Sequence, residues 1–303
     1  MSDSPRVLVL GGEGFIGRHA VAELRKQNIN VVVGTRDRSL AGKPGYECYF
    51  LEQRTKRDDW REVVRRFDVI LNCVGILRPA GSASYEDIHH LAPGALVEAC
   101  AEAAVRFIHV SALGLSPGAK SGFLRSKLAG EAAIQATAGE WIIVRPSLLD
   151  GEGGYGAAWL RGVSKLPVFA VPADAKGQIA ALTANDLGEA LTRLCLASKE
   201  ELKLDESRIF ELGGNTHWGF EAYIRGLRRR YTEKPVWAIP IPGILSRIGA
   251  HLCDVFRVTP FSFGHWELLR KNNIPLPNRL PELLGRPPTE VISPLPSSSL
   301  PIS

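Results

Sequence analysis

The stretch from residue 6 to residue 17 constrains the fold more than any other part of the sequence. Residues 7–10 are a short, unbroken run of branched apolar side chains, typical of a strand buried on both faces. Four glycines follow, and residues 15–27 then show the periodicity of a helix. A strand, a glycine turn and a helix in this order can hold the pyrophosphate of a dinucleotide, because the free N–H groups at the helix start face the anion. The predicted contacts to the pyrophosphate come from Gly11, Gly14, Phe15, Ile16 and Gly17.

The segment after the second predicted strand bears on which dinucleotide is bound. Residues 30–34 carry three consecutive valines, and Thr35-Arg36-Asp37-Arg38 follows at their end, about twenty residues beyond the glycines. An acidic side chain at this place accepts the 2′-hydroxyl of NAD, whereas an arginine accommodates the 2′-phosphate of NADP. Because Arg36 comes first and Arg38 flanks it, the sequence favours NADP(H), with Arg36 at the 2′-phosphate. Asp37 leaves NAD(H) as the alternative, and a solvated turn of mixed charge is the interpretation without function.

Strand and helix patterns alternate regularly up to residue 150. The further predicted strands are 46–51, 68–75, 106–110 and 141–144, and the further helices are 58–67, 85–104 and 123–136. This alternation predicts an α/β fold with a doubly wound parallel sheet of the Rossmann type. Val74 and Gly75 would lie at the carboxyl end of a strand, where ligands bind in open parallel sheets, and we place them on the adenosine side of the cofactor.

The alternation breaks after residue 150, in a glycine-rich loop. A strand at 178–181, a helix at 185–195 and a strand at 208–212 are predicted to return to the sheet. We therefore expect a dinucleotide-binding domain of residues 1–150 that 178–213 rejoins. A smaller, α-rich substrate or partner region would comprise 151–177 and 214–303. Its Ser/Pro/Leu-rich end, 293–303, is expected to be disordered.

Composition excludes several classes of protein. The formal net charge of +5 suits an anionic ligand, but no dense basic tract argues for nucleic acid. The five cysteines form no Cys-x-x-Cys pair, which fits buried thiols in a reducing compartment. No signal-peptide pattern and no apolar run of about 18 residues is present, so a cytoplasmic protein is expected. His89 and His90 are adjacent and point in different directions, so no metal site is predicted.

Two segments of the C-terminal region could contact a partner. Residues 218–230 predict an amphipathic helix whose basic face carries Arg225, Arg228, Arg229 and Arg230. We expect that face to be solvated, with contact to an anionic surface or partner as the alternative. Residues 235–256 are apolar and interrupted by prolines. They are predicted to pack as core or as the wall of a cleft, with docking to a membrane surface as the alternative.

Taken together, the motifs resemble the extended and atypical short-chain dehydrogenase/reductase superfamily, which includes NAD-dependent epimerases and dehydratases. Residues 11–17 look like its Gly-x-x-Gly-x-x-Gly turn. Segments 71–77, 109–114 and 126–131 are similar to the branch that contains the nucleotide-binding accessory subunit of respiratory complex I. The resemblance covers residues 6–215 well and the remainder loosely. It implies a nicotinamide dinucleotide as cofactor, with Ser111, Lys127 and Pro146 towards its nicotinamide end.

The resemblance also implies a catalytic pair that this sequence only half retains. In the superfamily a Tyr-x-x-x-Lys pair on one helix transfers the proton, with the lysine lowering the tyrosine pKa and a nearby serine orienting the substrate oxygen. Lys127 and Ser111 match the lysine and the serine. Phe123 stands where the tyrosine is expected, and a phenyl ring has no proton to give.

Three interpretations follow from the missing tyrosine. The chain could be a catalytically quiet protein that only holds NADP(H). It could be an oxidoreductase or epimerase acting on a small carbonyl or nucleotide-sugar substrate, with the proton supplied by Tyr155 in the glycine loop or by Lys127. It could also be a redox sensor or subunit whose residues 216–303 meet a protein partner or a membrane surface.

Overall fold

The computed structural model describes residues 4–257 and 259–292. The tail predicted to be disordered, 293–303, lies outside the described residues. The strands, in chain order, are β1 (Arg6–Leu10), β2 (Asn30–Thr35), β3 (Tyr46–Cys48), β4 (Val69–Asn72), β5 (Arg106–Val110), β6 (Trp141–Pro146), β7 (Leu149–Asp150), β8 (Val168–Pro172), β9 (Gln178–Ile179), β10 (Leu182–Thr183), β11 (Ile209–Leu212), β12 (Trp218–Gly219) and β13 (Trp237–Ile241).

The α-helices, in chain order, are α1 (Phe15–Lys26), α2 (Arg61–Val64), α3 (Ala92–Ala103), α4 (Gly122–Gln135), α5 (Tyr155–Lys165), α6 (Ala184–Leu196), α7 (Lys199–Leu202), α8 (Phe220–Arg229), α9 (Gly243–Phe256), α10 (Phe263–Leu269) and α11 (Leu280–Leu284). A π-helical segment, Asp87–Leu91, runs directly into α3. No helix in the described ranges is long and apolar enough to cross a membrane.

The central sheet confirms the predicted fold class. Seven strands lie in the order β11-β6-β5-β4-β1-β2-β3, and every pair in this sheet is parallel. The chain moves outwards from β1 to β3, returns to β4 beside β1, and then moves outwards in the other direction. The carboxyl ends of β1 and β4 therefore flank the point where the direction reverses, which is where open α/β sheets bind ligands.

Hydrophobic cores cover both faces of this sheet. On one face, side chains of α1, α6 and α11 pack against β1 and β6, with Ala20, Leu187 and Leu191 fully buried. On the other face, α3 and the segment around Trp60 pack against the opposite side chains of the same strands. A third core joins α5, β8 and α8, and it includes Phe169 and Tyr223. The side chains of this third core come from residues 148–292.

Two predicted elements are corrected by the structure. Residues 178–181 do not enter the main sheet: β9 pairs antiparallel with β12, and β10 pairs with β7. The place beside β6 is taken instead by β11. The helix predicted at 58–67 is reduced to a 3₁₀ turn, Arg57–Asp59, and the single turn α2. The fully buried Trp60 fixes this segment, since its indole N–H donates to the carbonyl of Arg54 at 2.9 Å.

Candidate functional site

The glycine turn after β1 is closely packed in a way that side chains would prevent. Gly11 has φ of +70°, in the left-handed region that favours glycine. A Cβ on Gly17 would collide with the carbonyl oxygen of Gly11, so helix α1 can approach the turn only because this residue is glycine. A Cβ on Gly12 would lie 2.8 Å from a methyl group of Val33. The turn therefore brings bare backbone to the carboxyl end of β1.

The start of α1 offers free N–H groups. Gly14 is the residue that precedes the first helical turn, and no side chain caps the helix there. The first turn contains no acidic residue that would compete for these groups. Phe15, Ile16 and Gly17, three of the predicted contact residues, lie in this first turn. The arrangement fits the pyrophosphate of a dinucleotide, whose negative charge the helix dipole would stabilise.

The carboxyl end of β2 carries charges of both signs. Arg36 is exposed directly after the strand. The Asp37 carboxylate accepts a hydrogen bond from the Ser39 backbone N–H at 2.8 Å and so caps the short turn that follows β2. The sequence interpretation missed Glu13, in the glycine turn, whose carboxylate accepts a hydrogen bond from the Thr35 hydroxyl. An acidic group therefore does reach the end of β2, but it comes from the turn.

Lys127 lies on α4 and is buried, with its ammonium group next to the end of β4. A Cβ built on Gly75 would be 3.7 Å from Lys127 Nζ. Burial lowers the pKa of Lys127 to about 8, although the carboxylate of Glu131 acts in the opposite sense. Glu131 itself is paired with Arg145 at 2.5 Å. Because Nζ has no hydrogen bond or ion pair in the described part of the chain, its donors are available to a ligand.

Two buried polar atoms at the carboxyl end of β5 have no hydrogen-bond partner among the described residues. Ser111 follows β5, and its Oγ is buried without a hydrogen bond. His109 Nε2, two residues earlier on β5, is also buried without one. The Asn72 amide lies 3.2 Å from His109 Nδ1, while its oxygen accepts from the Val74 N–H at 3.1 Å. This pattern makes His109 Nδ1 an acceptor and leaves a proton on Nε2. Unpaired buried groups are costly, so each needs an explanation, and a bound ligand or water would supply the missing partner.

Phe123, at the position of the missing tyrosine, is enclosed by aromatic rings. The ring centroids of Tyr85, His89 and His265 lie 6.1, 5.5 and 6.3 Å from its own. Lys127 Nζ lies 5.7 Å from the centroid of the Phe123 ring. The spacing of the two residues therefore brings them together, as the family pattern implies, but the ring supplies packing in place of a hydroxyl.

His89 is a titratable side chain beside Phe123 that the sequence analysis did not consider as an acid, and its burial keeps it neutral. Its Nε2 accepts from the Ile76 backbone N–H at 3.0 Å. Its Nδ1 lies 2.9 Å from Ser126 Oγ, which donates to the Phe123 carbonyl at 3.0 Å. Burial and the charge of Lys127 lower the pKa of His89 to about 2. His89 therefore cannot act as the missing acid at neutral pH. The π-helical segment that carries it was not predicted, because such a segment has the same apolar pattern as an α-helix.

The remaining predicted residues lie around this site in different ways. Val74 contacts the glycine turn, since a Cβ on Gly11 would be 3.0 Å from its methyl group. Gly75 is near Lys127, so the two residues predicted on the adenosine side face different neighbours. Pro146 ends β6, and its carbonyl accepts from the Leu113 N–H at 3.1 Å.

Tyr155 begins α5 and is 61% exposed. The glycine before it packs on the ring of Phe15, at the start of α1.

Asn273 is a structural residue of the site that no sequence pattern indicated. Its side-chain amide donates to the Leu113 carbonyl at 2.9 Å. The Ser147 hydroxyl donates to the Asn273 amide oxygen at 2.6 Å. Asn273 therefore ties the loop after β5 to the loop after β6. A single asparagine distant in sequence carries no pattern by which this contact could be recognised.

Comparison with known proteins identifies the family. The model of the NAD dependent epimerase/dehydratase family matches residues 7–165. A subunit of mitochondrial NADH dehydrogenase from Mus musculus, "1 alpha subcomplex subunit 9", is 33% identical over 147 residues, which are 46% of this chain and 39% of that protein. The chain therefore spans only about two-fifths of the length of this curated relative.

Solved structures share the fold at low identity. The triphenylmethane reductase of Citrobacter sp., complexed with NADP(H), superposes with a TM-score of 0.69 at 14% identity, covering 96% of this chain and 97% of that one. The UDP-glucose 4-epimerase of Thermus thermophilus, complexed with NAD, gives a TM-score of 0.54 at 21% identity, covering 78% and 86%. The superfamily resemblance is thus confirmed, and nicotinamide dinucleotide binding is supported, without a choice between NAD and NADP. The chain belongs to the NAD-dependent epimerase/dehydratase family.

Proposed function

We propose that this protein holds a nicotinamide dinucleotide, NADP(H) in preference to NAD(H), without the tyrosine-based acid of its reductase relatives. The observation that carries the proposal is a set of polar atoms beyond the carboxyl ends of β4 and β5 that lack partners among the described residues. Ser111 Oγ and His109 Nε2 are buried without a hydrogen bond, and Lys127 Nζ, near Gly75, makes neither a hydrogen bond nor an ion pair. A bound ribose and carboxamide would satisfy such donors and acceptors. The glycine turn and the uncapped start of α1 supply the matching site for the pyrophosphate.

The preference for NADP(H) is supported by the charges at the end of β2. Arg36 is exposed and makes no hydrogen bond or ion pair with the described residues, so its guanidinium can approach a 2′-phosphate. The Asp37 carboxylate, which would accept the 2′-hydroxyl of NAD, is engaged with Ser39. Glu13 opposes the preference, because a carboxylate beside Thr35 would repel a 2′-phosphate. A preference of modest size is therefore expected.

Charge substitutions test this balance directly. We expect Arg36→Ala to weaken NADPH binding about tenfold to a hundredfold and NADH binding far less, since one charge-assisted hydrogen bond contributes about 1.5–3 kcal/mol. We expect Glu13→Gln to strengthen NADPH binding and to leave NADH binding unchanged or weaker. The measurement is a fluorescence titration of each variant with both reduced nucleotides. Equal losses for the two nucleotides in Arg36→Ala would contradict the role assigned to Arg36.

The catalytically quiet version of this function is supported by the packing at position 123. The ring of Phe123 fills an aromatic cluster, and the nearest imidazole is held neutral with both nitrogens in hydrogen bonds. Such a protein would serve as a cofactor-holding subunit or redox sensor. The mouse relative is named as a subunit of NADH dehydrogenase. We therefore propose that residues 216–303 provide a partner surface.

An oxidoreductase or epimerase acting on a small carbonyl or nucleotide sugar is the second candidate. It is supported by the pKa of Lys127, which at about 8 allows this side chain to give up a proton near neutral pH. Tyr155, the other acid considered, is mostly exposed, and its hydroxyl makes no hydrogen bond within the described residues. In the enzymatic version Lys127 is therefore the favoured acid.

A turnover assay separates the two candidates. NADPH oxidation would be followed with a panel of carbonyl compounds, first for the natural protein and then for Tyr155→Phe and Phe123→Tyr. The quiet version predicts tight binding without turnover by the natural protein and by Tyr155→Phe. Phe123→Tyr would place a phenol near Lys127, and a general acid contributes about 10²–10⁴-fold to a rate, so turnover is expected to appear only in this variant. Turnover by the natural protein would establish the enzymatic version, and its loss in Tyr155→Phe would identify Tyr155 as the acid.

A further inference from the structure

The exposed large apolar side chains of this protein are concentrated in one part of the C-terminal region. Residues 235–256 were predicted to form core or the wall of a cleft. The inner side of α9 does line a cleft beside Phe123, through His251 and Asp254, but most large apolar side chains of the segment are exposed. Trp237 is 74% exposed, and Ile244 and Val255 are each 72% exposed. Contact between water and a large apolar surface is unfavourable. An exposed patch of this composition therefore needs a physical explanation.

Helix α9 has its apolar face turned outwards. At 100° per residue its exposed large side chains fall within an arc of about 120°. These side chains are Ile244, Leu245, Ile248, Leu252, Val255 and Phe256. The opposite face, which packs on the protein, presents the small residues Ser246 and Ala250. A surface helix of a soluble domain normally has the reverse arrangement, so the sequence of α9 is suited to an apolar environment on its outer side.

A two-stranded ribbon continues this surface on the N-terminal side of α9. Strands β8 and β13 pair in parallel, with Val168 opposite Trp237 and Ala170 opposite Ile239. These four residues are exposed on one face of the ribbon, whereas Phe169 and Val171 on the other face are buried in the third core. Only Pro242 separates the ribbon from α9. We call the outer face of the ribbon and the outer face of α9 the apolar patch.

Two acidic groups beside the apolar patch are paired with arginines. The carboxylate of Asp174 lies against Gly243 at the start of α9 and is paired with Arg270 at 3.0 Å. The only acidic residue between positions 235 and 257 is Asp254, and it lies inward, paired with Arg78 at 3.0 Å. Arg247 is exposed on α9, and Arg257 is exposed directly after its last residue. At the ribbon, Lys165 lies 4.5 Å from the ring centroid of the exposed Tyr231. Cations and amphipathic aromatic rings bordering an apolar helix face are the features of a helix that lies in the interface of an anionic membrane.

We propose that the apolar patch docks this protein on the surface of a membrane containing anionic lipid. The side chains of α9 and Trp237 would enter the boundary between headgroups and acyl chains, while Arg247, Arg257 and Lys165 meet lipid phosphates. The fourteen residues of α9 would lie in the plane of the interface and would not cross it. This proposal stands on surface residues alone and does not depend on dinucleotide binding.

Vesicle flotation of the full chain tests the proposal. We expect the protein to float with vesicles that contain phosphatidylglycerol, and to do so less with phosphatidylcholine alone or at high salt. The double variant Ile248→Ser/Leu252→Ser should reduce the bound fraction at least about tenfold, because it removes two large apolar side chains from the middle of the helix face. Arg247→Gln should lower binding to anionic vesicles and leave the weak binding to phosphatidylcholine unchanged.

The matched control is Leu276→Ser, since Leu276 is 82% exposed but lies outside the apolar patch. It should float like the natural protein. Unchanged thermal unfolding would show that every variant is folded, whatever the outcome for the dinucleotide proposal. Equal flotation of the double variant and the natural protein would overturn the proposal. So would a dimer in sedimentation equilibrium that the double variant abolishes, because the apolar patch would then be covered by a second copy of the chain.

Discussion

Replacing Lys127 with methionine is expected to weaken dinucleotide binding about tenfold to a hundredfold while making the free protein more stable. Methionine keeps the length of the side chain and removes its charge. Loss of a charge-assisted contact to the ribose costs about 1.5–3 kcal/mol in binding. In the free protein the ammonium group is buried, and its only charged neighbour of note, Glu131, is already paired with Arg145. Removing it should raise the free energy of unfolding at pH 7 by on the order of 1–3 kcal/mol.

The stability difference between Lys127→Met and the natural protein is expected to change with pH, in a direction that follows from the pKa of Lys127. The pKa of Lys127 is about 8 in the folded protein and has its ordinary value of 10.5 in the unfolded chain. Below pH 8 both states carry the proton, and the cost of burying the charge is complete. Between pH 8 and 10.5 the folded state loses its proton first, so the natural protein gains stability and the advantage of the variant shrinks.

Urea unfolding from pH 7 to pH 10.5 would measure this difference, with Lys43→Met, at an exposed position, as the control. If Lys127→Met bound NADPH as tightly as the natural protein, Lys127 would not be part of the binding site. A variant that is less stable than the natural protein at pH 7 would show that Nζ has a stabilising partner.

Mild acid is expected to destabilise the protein strongly, because three histidines are buried in the neutral form. Burial lowers the pKa of His89 to about 2, of His109 to about 3 and of His265 to about 4. Below pH 6.5 the unfolded chain binds protons at these positions and the folded protein does not. Each histidine then lowers the free energy of unfolding by up to about 1.4 kcal/mol per pH unit. The three together predict a loss on the order of 5 kcal/mol between pH 7 and pH 5.

Between pH 7 and pH 5 the free energy of unfolding is expected to change because of the histidines and not because of the carboxylates. The carboxyl groups with lowered pKa, such as Glu47 and Glu102, lose stabilisation only below their ordinary values near 4.5. The measurement is the free energy of urea unfolding at steps between pH 7 and pH 5. His265→Phe should reduce the slope by about one third and preserve the ring packing against Phe123, whereas His217→Gln, at an exposed position, should leave the slope unchanged. Stability that is constant over this range would contradict the buried, neutral state of these side chains.

The amino-acid sequence by itself determined the sheet and the cofactor turn. The valine and leucine runs of β1 and β2, and the glycines between β1 and α1, are local patterns that report strand burial and a turn without Cβ atoms. They predicted the parallel sheet because alternation of strand and helix allows few other arrangements. Four-residue spacing also sufficed to place Phe123 beside Lys127, since both lie on one helix.

The tertiary structure decided everything that depends on contacts between distant segments. Residues 178–181 have an ordinary strand pattern, yet β11 takes the place beside β6 and β9 pairs with β12 outside the main sheet. Glu13 meets Thr35, and Asn273 meets Ser147, across distances in sequence at which no periodicity exists. Arg228 was predicted on a solvated face, yet it is buried and donates to the carbonyls of Lys234 and Leu166.

The apolar segment 235–256 likewise shows that sequence alone does not predict which apolar residues are buried. An apolar helix face indicates that something covers it, but composition is identical whether the cover is the protein's own core or another molecule. The structure turned the small residues of α9 inwards and the large ones outwards, because Ser246 and Ala250 allow the helix to lie close to its neighbours. Sequence thus determined which residues are apolar, and tertiary packing determined which of them the protein leaves uncovered.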